Sequence, residues 1–427
     1  VKLTDQEKAI LDGKEGAARQ AALDLLVRYG IAMDADRMLD VTSVACSIVN
    51  YYPQYLIDGI DPDNFDSAYA VLNMGVSPCQ TAGMHVPCAS ANANTLATAA
   101  SLDYYKYLGA PKELIESVEK LYEFSRSHKF HDTRTCAPYL VGSLPMKGEH
   151  VAWGESSAVI FVNSVMGART NCEGVQSSGA AAIVGKIPNA GLHLDENRFG
   201  THLIHVEKVP KTPVEWDLMG YYCGKVVGEG APVFIGDFGV VTLDLHKNLG
   251  AALSTTGGVD LYHIVGFTPE APTLKAAFGD RKPIEEFAYG LAEENHAKEV
   301  LDSGKGNAVD LVLLGCPFYS INQIRKVADL LEGKKLHPGT RMIITTAWMT
   351  KALAKESGYA KTIEDAGGYI TDGTCPPMVS MWPDGLTCLA TDSGKMAHYS
   401  GANRNDLEIH LGDVEQCVRA ALTGIWA

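Results

Sequence analysis

The sequence predicts an α/β protein with mostly parallel sheets, and three observations carry that prediction. Short apolar runs bounded by Gly, Asp or Asn recur from residue 158 onward. Amphipathic stretches of helical length alternate with them, the order that parallel sheets with crossover helices produce. The stretch 309–348 reads as one complete unit of this kind: VDLVLLGC (309–316), a helix over 319–332 and MIITTAW (342–348).

Taken in order, residues 3–29 read as two helices punctuated by Gly13 and Gly16. The second, AARQAALDLLVRYG, repeats apolar residues at helical spacing up to Gly30. LATAASLDYYKYLG closes another helix at Gly109, and PKELIESVEKLYEFSRSHK opens an amphipathic one on Pro111. AVIFV (158–162), AAAIVG (180–185), PVFIG (232–236), VDLVLLGC and MIITTAW then read as strands. IEEFAYGLAEENHAKEVLDSG and YSINQIRKVADLLEG read as helices between them. No fixed-period repeat and no low-complexity tract interrupts the series.

At 427 residues the chain exceeds one typical domain. The pattern breaks near 205–230, at VEKVPKTPVEWDLMG, so the expected division is 1–215, with the main polar motif, and 216–427. Hydrophobic residues make 46% of the chain and charged ones 20%, an ordinary soluble balance. A net charge of −15 leaves no basic surplus to neutralise phosphates, which argues against nucleic acid as the partner. No apolar run approaches the roughly 18 residues a bilayer span needs, so no membrane role is expected. The N-terminus, VKLTDQEKAILDGKEG, lacks the apolar centre of a secretory signal. The expected location is cytoplasmic, where the ten cysteines serve as packing residues, metal ligands or nucleophiles rather than disulfides.

No CxxC pair is present, so any metal site must be assembled from distant parts of the chain. Cys316 ends an apolar strand and precedes Pro317, at the carboxyl edge where open α/β sheets bind ligands. Cys136 lies in HDTRTCAPYLVGSLP and Cys375 in ITDGTCPP, both again beside proline. Three thiolates that leave one iron position open are what a Lewis-acid cluster needs; the other reading is three packing thiols. Cys46, Cys88, Cys223, Cys388 and Cys417 have apolar or helical surroundings and read as packing residues, while Cys79 and Cys172 stay undecided. His131 with Asp132 is either an acid/base pair or a surface pair. In SGKMAHYSG (393–401), Lys395 and His398 make either an anion cradle or a solvated loop. Phosphate-binding glycine loops, GxSxG and HExxH are absent.

The stretch WGESSAVIFVNSVMGARTN (153–171) raises a different question, because it frames an apolar run with hydrogen-bonding groups. Glu155, Ser156, Ser157, Asn163, Ser164, Arg169, Thr170 and Asn171 crowd its ends. Two ordinary loops would account for them, and so would a surface that receives something small and polar.

Several segments together carry a resemblance. TCAPYLVGSLPMKGEHVAWGESSAVIFVNSVMGARTN (135–171), LGCPFYS (314–320), DGTC (372–375) and DSGKMAHY (392–399) resemble the large catalytic subunit of the aconitase X family. LTDQEKAILDGKEG resembles that family's opening and QCVRAALTG its closing helix. The resemblance implies an iron–sulfur hydro-lyase of aconitase-like fold, with three-layer α/β/α domains around a central cluster. It implies Cys136, Cys316 and Cys375 as ligands, the last two from the C-terminal region, to a 2Fe–2S or 4Fe–4S cluster, with a mononuclear iron as the alternative. It further implies a swivelling domain that supplies a serine base. Since the chain stops at Ala427, directly after the large-subunit pattern, that domain is expected on a separate small subunit.

The implied reaction is loss of water from a small hydroxy acid. In it Arg169 would clamp a carboxylate, and Ser156, Ser157, Asn163, Asn171 and Asn73 would orient the remaining polar atoms. Lys395 would add a second positive charge, and His131 is the remaining acid/base candidate. The chain departs from the family at Cys172, where a second basic residue is common, and at Phe318, which stands for a histidine. Of the two substrates associated with the family, loss of a basic residue favours cis-3-hydroxy-L-proline, giving pyrroline-2-carboxylate, over 5-phosphomevalonate. A non-catalytic metal-binding or regulatory subunit is the alternative from another class.

Overall fold

The computed structural model describes residues 1–46, 91–93, 101–113, 115–116, 119, 131, 133–379 and 381–427. Asn73, Cys79, Cys88, Asp132 and most of the helix expected over 111–129 lie outside the described residues. Two compact units make up the fold, Val1–Phe199 and Gly200–Ala427. Among the described residues no helix is long and apolar enough to cross a membrane.

In the N-terminal unit, α1 (Asp5–Leu11) starts on a capping box in which Thr4 and Glu7 exchange backbone and side-chain hydrogen bonds. α2 (Ala17–Ala32) carries on past Gly30. There follow β1 (Met38–Asp40), β2 (Ser43–Cys46), β3 (Ala91–Ala93), α3 (Leu102–Tyr107), β4 (Val151–Trp153), α4 (Ser156–Phe161), α5 (Val175–Val184) and β5 (Lys186–Pro188). β1 pairs antiparallel with β5, and β3-β2-β4 form a parallel three-stranded sheet. Ala180, Ala181 and Ala182 pack α5 against Leu23 and Leu26 of α2, with Ile10 and Ile187 in the same core.

Two expected strands are helices. The run 158–162 falls mostly in α4, and 180–185 ends α5. A buried helix and a buried strand are equally apolar over five or six residues, so periodicity does not separate them. The decisive signal is the cap: the Glu155 carboxylate accepts the Ala158 amide at 2.9 Å and starts the helix. A π-turn, Val162–Met166, follows, and the chain leaves it at Gly167 with φ +70°.

The C-terminal unit holds two parallel sheets. The first uses β6 (His202–Val206), α6 (Pro213–Val227), β7 (Pro232–Ile235), α7 (Leu243–Gly257), β8 (His263–Ile264), α8 (Leu274–Phe278), β9 (Glu285–Tyr289) and α9 (Leu291–Leu301), in strand order β8-β7-β6-β9. Residues 285–289, expected as helix, are therefore an edge strand paired along all of β6. Its exposed glutamates give it a helix-like polarity and also blunt the sheet edge.

The second sheet comprises β10 (Leu311–Tyr319), α10 (Ile321–Leu331), β11 (Arg341–Thr346), α11 (Trp348–Glu356), α12 (Tyr359–Ala366), β12 (Tyr369–Asp372), α13 (Pro376–Val379), β13 (Cys388–Thr391), α14 (Gly394–Asn403), β14 (Glu408–Leu411) and α15 (Val414–Thr423). Its order is β12-β11-β10-β13-β14, every pair parallel. Burial on both faces explains the unbroken apolar runs of β10 and β11. The strand order reverses between β10 and β13, which makes the carboxyl edge there a topological switch point, the place where open α/β sheets receive ligands.

Candidate active site

The switch point brings together two of the sequence segments singled out above. β10 and β13 pair only at Leu311↔Leu389 and Val312↔Ala390, and beyond that register they part. β10 loses its register with β11 between Leu314 and Tyr319, and this irregular turn at its end, Gly315–Ser320, lies on one side of the gap, with Asp392–Lys395 on the other. The Ser393 hydroxyl joins them by donating to the Cys316 carbonyl, while its oxygen caps α14 by accepting the Met396 amide at 3.1 Å. Gly315 sits at φ +101°, and a Cβ there would lie 2.2 Å from the Thr345 carbonyl oxygen, so only glycine fits. The Cys316–Pro317 peptide is cis.

Behind this gap lies a buried charged group that the sequence does not announce. Tyr319 donates its hydroxyl to Asp392, whose second oxygen is buried with no hydrogen-bond partner among the described residues. The Asp217 carboxylate accepts the Gly394 amide at 2.7 Å. Burial pushes the Asp392 carboxyl up to about 6 and Asp217 well above the ordinary carboxylate range, where the charge of Asp392 adds to the effect. Lys247, 1% exposed, donates to the Phe318 carbonyl at 2.9 Å and to the Gln323 side chain.

Lys395 and His398 belong to α14 rather than to an exposed loop, which corrects the solvated-loop reading of SGKMAHYSG. Ser393 provides the helix cap that makes the difference. Lys395 is 8% exposed with its Nζ 5.9 Å above the Tyr399 ring, and His398 Nδ1 lies 3.0 Å from the Tyr221 hydroxyl. Cys375 follows β12 on the same carboxyl edge as Cys316, with β11 between their two strands. Both thiols are half-buried and outside any disulfide, as is Cys136 in the N-terminal unit. Cys223, Cys388 and Cys417 are buried, as packing residues are.

In the N-terminal unit the polar ends of 153–171 turn largely inward. Ser157 is 2% exposed and donates to Glu155 at 2.6 Å. Ser156, the first residue of α4, is half-buried. Asn163 is fully buried, donating to the Thr170 carbonyl at 2.9 Å and accepting the Thr170 amide at 3.0 Å. Asn171 accepts the Leu192 amide at 2.8 Å and donates to the Ala190 carbonyl at 3.2 Å. Both asparagines therefore pin loops, and their amides are engaged with the protein itself. The Arg169 fork holds the Asp195 carboxylate and, at 3.0 Å, the His193 carbonyl. His131 is exposed, and its carbonyl accepts the Thr133 amide at 2.8 Å.

Two features of this unit have no sequence signature. Arg198, 5% exposed, donates to Asn163 Oδ1 at 3.2 Å and to the carbonyls of Leu192, Asn163 and Ala168 at 3.0, 3.0 and 3.1 Å. His150 and His193 meet through their Nδ1 atoms at 3.0 Å. Burial, with the charges of His150, Arg198 and Arg169, pushes His193 down to about 3. Above pH 6.5 its ring is neutral folded or unfolded, so its contribution is complete there. As pH falls from 6.5 toward 3, the unfolded chain takes up a proton that the folded ring refuses. Stability then drops by about 1.4 kcal/mol per pH unit from this group. Urea denaturation at pH 7, 6 and 5 should show a flatter pH dependence for His193→Asn than for the wild type, and identical slopes would contradict this.

Part-exposed thiols outside any disulfide are the donor type iron–sulfur centres take, so Cys136, Cys316 and Cys375 fit such a group in kind. Among the described residues no three His, Cys, Asp or Glu side chains are already gathered around one metal position.

Comparison with known proteins matches the aconitase X first domain to residues 1–196, the second to 200–299 and the third to 309–423. The phosphomevalonate dehydratase large subunit of Methanocaldococcus jannaschii is 34% identical, over 98% of this chain and 99% of that protein. The cis-3-hydroxy-L-proline dehydratase of Pseudomonas aeruginosa is 31% identical, over 98% of this chain and 69% of that protein. The holo-form crystal structure of Thermococcus kodakaraensis aconitase X aligns with a TM-score of 0.80 at 32% identity, covering 99% of this chain and all of that one.

Proposed function

The chain belongs to the aconitase X family, a family of hydro-lyases, and from that premise we propose that it dehydrates cis-3-hydroxy-L-proline. The observation that carries a site in the C-terminal unit is the meeting of Gly315–Ser320 and Asp392–Lys395 at a sheet switch point. Cys136, Cys316 and Cys375 would hold an iron–sulfur centre, which when bound supplies a Lewis-acid iron for the departing hydroxyl.

The chain's own groups bind and orient. Lys395, in the first turn of α14, places a cation close to the helix N-terminus, where anions are already favoured. Arg169 offers a planar fork that already holds a carboxylate, that of Asp195, and a substrate carboxylate would take its place. Ser156 would add a hydroxyl donor at the start of α4. Asn163 and Asn171 act on substrate indirectly, by fixing the loops on either side of Arg169. The base that removes the proton alpha to the carboxylate is assigned to a small subunit, in keeping with the large-subunit naming of the relatives. The product is an enamine that tautomerises to pyrroline-2-carboxylate.

One observation favours the second substrate, 5-phosphomevalonate: the Methanocaldococcus jannaschii large subunit named for it is 34% identical, against 31% for the Pseudomonas aeruginosa hydroxyproline enzyme. Against it, Cys172 stands where a second basic residue is common in the family, so that position supplies no cation for a phosphate. The test is kcat/KM for both compounds, using the chain purified without oxygen together with its small subunit. The reading predicts turnover of cis-3-hydroxy-L-proline. Preference for 5-phosphomevalonate overturns the substrate, and turnover of neither by an iron-loaded complex overturns the function.

A further inference from the structure

The turn that carries Cys316 is gripped at almost every carbonyl by a side chain from elsewhere in the C-terminal unit. Thr345 donates to the Gly315 carbonyl, Ser393 to Cys316, Lys247 to Phe318 and Thr346 to Tyr319. Four of the five carbonyls between 315 and 319 are thus held from β11, the start of α14 and the first turns of α7. Free turns take such bonds from water, and a turn that must bend toward different ligands would keep them so. Here the backbone is fixed before anything binds.

Lys247 is the member of this set that asks most for an explanation. Its ammonium is 1% exposed, and a buried charge is retained only where donors are matched. Asp244 lies 3.6 Å away on the same helix, and the Tyr319 ring 5.9 Å away. Gln323, which accepts from Lys247, also caps α10 by accepting the Ser320 amide at 3.1 Å, and Ser320 donates to Asp244 at 2.9 Å. A single lysine therefore ties the Phe318 carbonyl, the α10 cap and the first turn of α7 into one block. Packing alone would be served by leucine or methionine. A cation that donates to the Phe318 carbonyl and the Gln323 side chain and faces the Asp244 carboxylate is needed only if the turn's geometry matters.

We propose that Lys247 and Ser393 are positioning residues that hold the Cys316 turn in a ligand-ready shape. Neither touches the thiol through any bond described above. Each acts through the backbone on either side of it, as outer-shell groups orient the ligands of metal sites. This inference rests on the assignment of Cys316 as an iron ligand only for its functional consequence. The claim about shape stands on the turn itself.

Two readouts separate the two levels. The first is the rate at which Cys316 in metal-free protein reacts with iodoacetamide, followed by peptide mass spectrometry. Lys247→Met and Ser393→Ala should change that rate by about tenfold, because the turn loses its fixed geometry. The second is iron and acid-labile sulfide per chain, with the visible absorption of the centre, after anaerobic reconstitution of the wild-type and variant complexes. Both variants should retain iron about tenfold more weakly. Thr340→Val is the control: it removes a hydroxyl donated to the Val309 carbonyl at 2.7 Å, just before the start of β10 and away from its Cys316 end. It should lower thermal stability yet leave the alkylation rate and iron content unchanged.

If alkylation rates match the wild type in both Lys247→Met and Ser393→Ala, the positioning role is wrong whatever the iron content. An equal iron loss in Thr340→Val would reduce the effect to general destabilisation and overturn the inference as well. Should Cys316→Ser itself retain iron, the ligand assignment fails, while the alkylation readout still decides the shape of the turn. Ser393→Ala provides the second test should Lys247→Met not fold.

Discussion

Replacing Cys316 with serine should lower dehydration by roughly a thousandfold and strip iron from the protein, while the fold survives. Serine has nearly the same size, so the irregular end of β10 keeps its carbonyl bonds to Thr345, Ser393, Lys247 and Thr346. What it loses is a thiol, the group that binds soft metal as a thiolate. Cys316 is half-buried and lies outside the apolar core, so the change costs little stability. Cys417→Ser makes the converse comparison. That thiol is fully buried in the core under β10 and β13, so a hydroxyl there destabilises the chain without touching iron binding. Unfolding curves and iron analysis on both variants check the pair of expectations. Equal iron content in wild type and Cys316→Ser would remove the switch-point thiol from the site.

Arg198→Met is the second large effect, and it is one of stability. The guanidinium donates to four oxygens of the 163–192 region, and a methionine leaves all four buried without that partner. Loss of charged hydrogen bonds in a buried place costs about 3–5 kcal/mol, large against the total stability of a domain. Lysine does not rescue it, because one ammonium cannot reproduce the planar fork that reaches Asn163, Ala168 and Leu192 together. Since Asn163 fixes Thr170 and so the start of the Arg169–Asn171 segment, the variant should also raise KM more than it lowers kcat. Chemical denaturation and steady-state kinetics read the two parts separately. A variant within about 1 kcal/mol of wild type would show that the loop is held by other means.

The contrast between these residues says what a sequence can display. The place of Cys316 at the carboxyl end of its strand is readable because a strand, a thiol and a proline stand side by side, and the parallel-sheet pattern says which end they occupy. The same pattern made β10, α10 and β11 legible, helped by the Ser320–Gln323 capping box. Lys247, Arg198 and the His150–His193 pair were not readable, because nothing local marks them. Lys247 meets Phe318 across 71 residues and Arg198 meets Asn163 across 35. The apolar run in α4 was misread because five apolar residues fit either a buried strand or a buried helix, and its deciding cap, Glu155, resembles an ordinary loop residue. Glu285–Tyr289 was misread for the opposite reason, since an edge strand exposed to water carries the polarity of a surface helix.

The most direct test is to purify the chain with its small subunit in the absence of oxygen and to measure iron, labile sulfide and dehydration on the same sample. Turnover should rise and fall with iron content, together with a visible charge-transfer absorption that is lost when the thiols are alkylated. Full dehydration by protein that contains zinc or no metal would contradict the account.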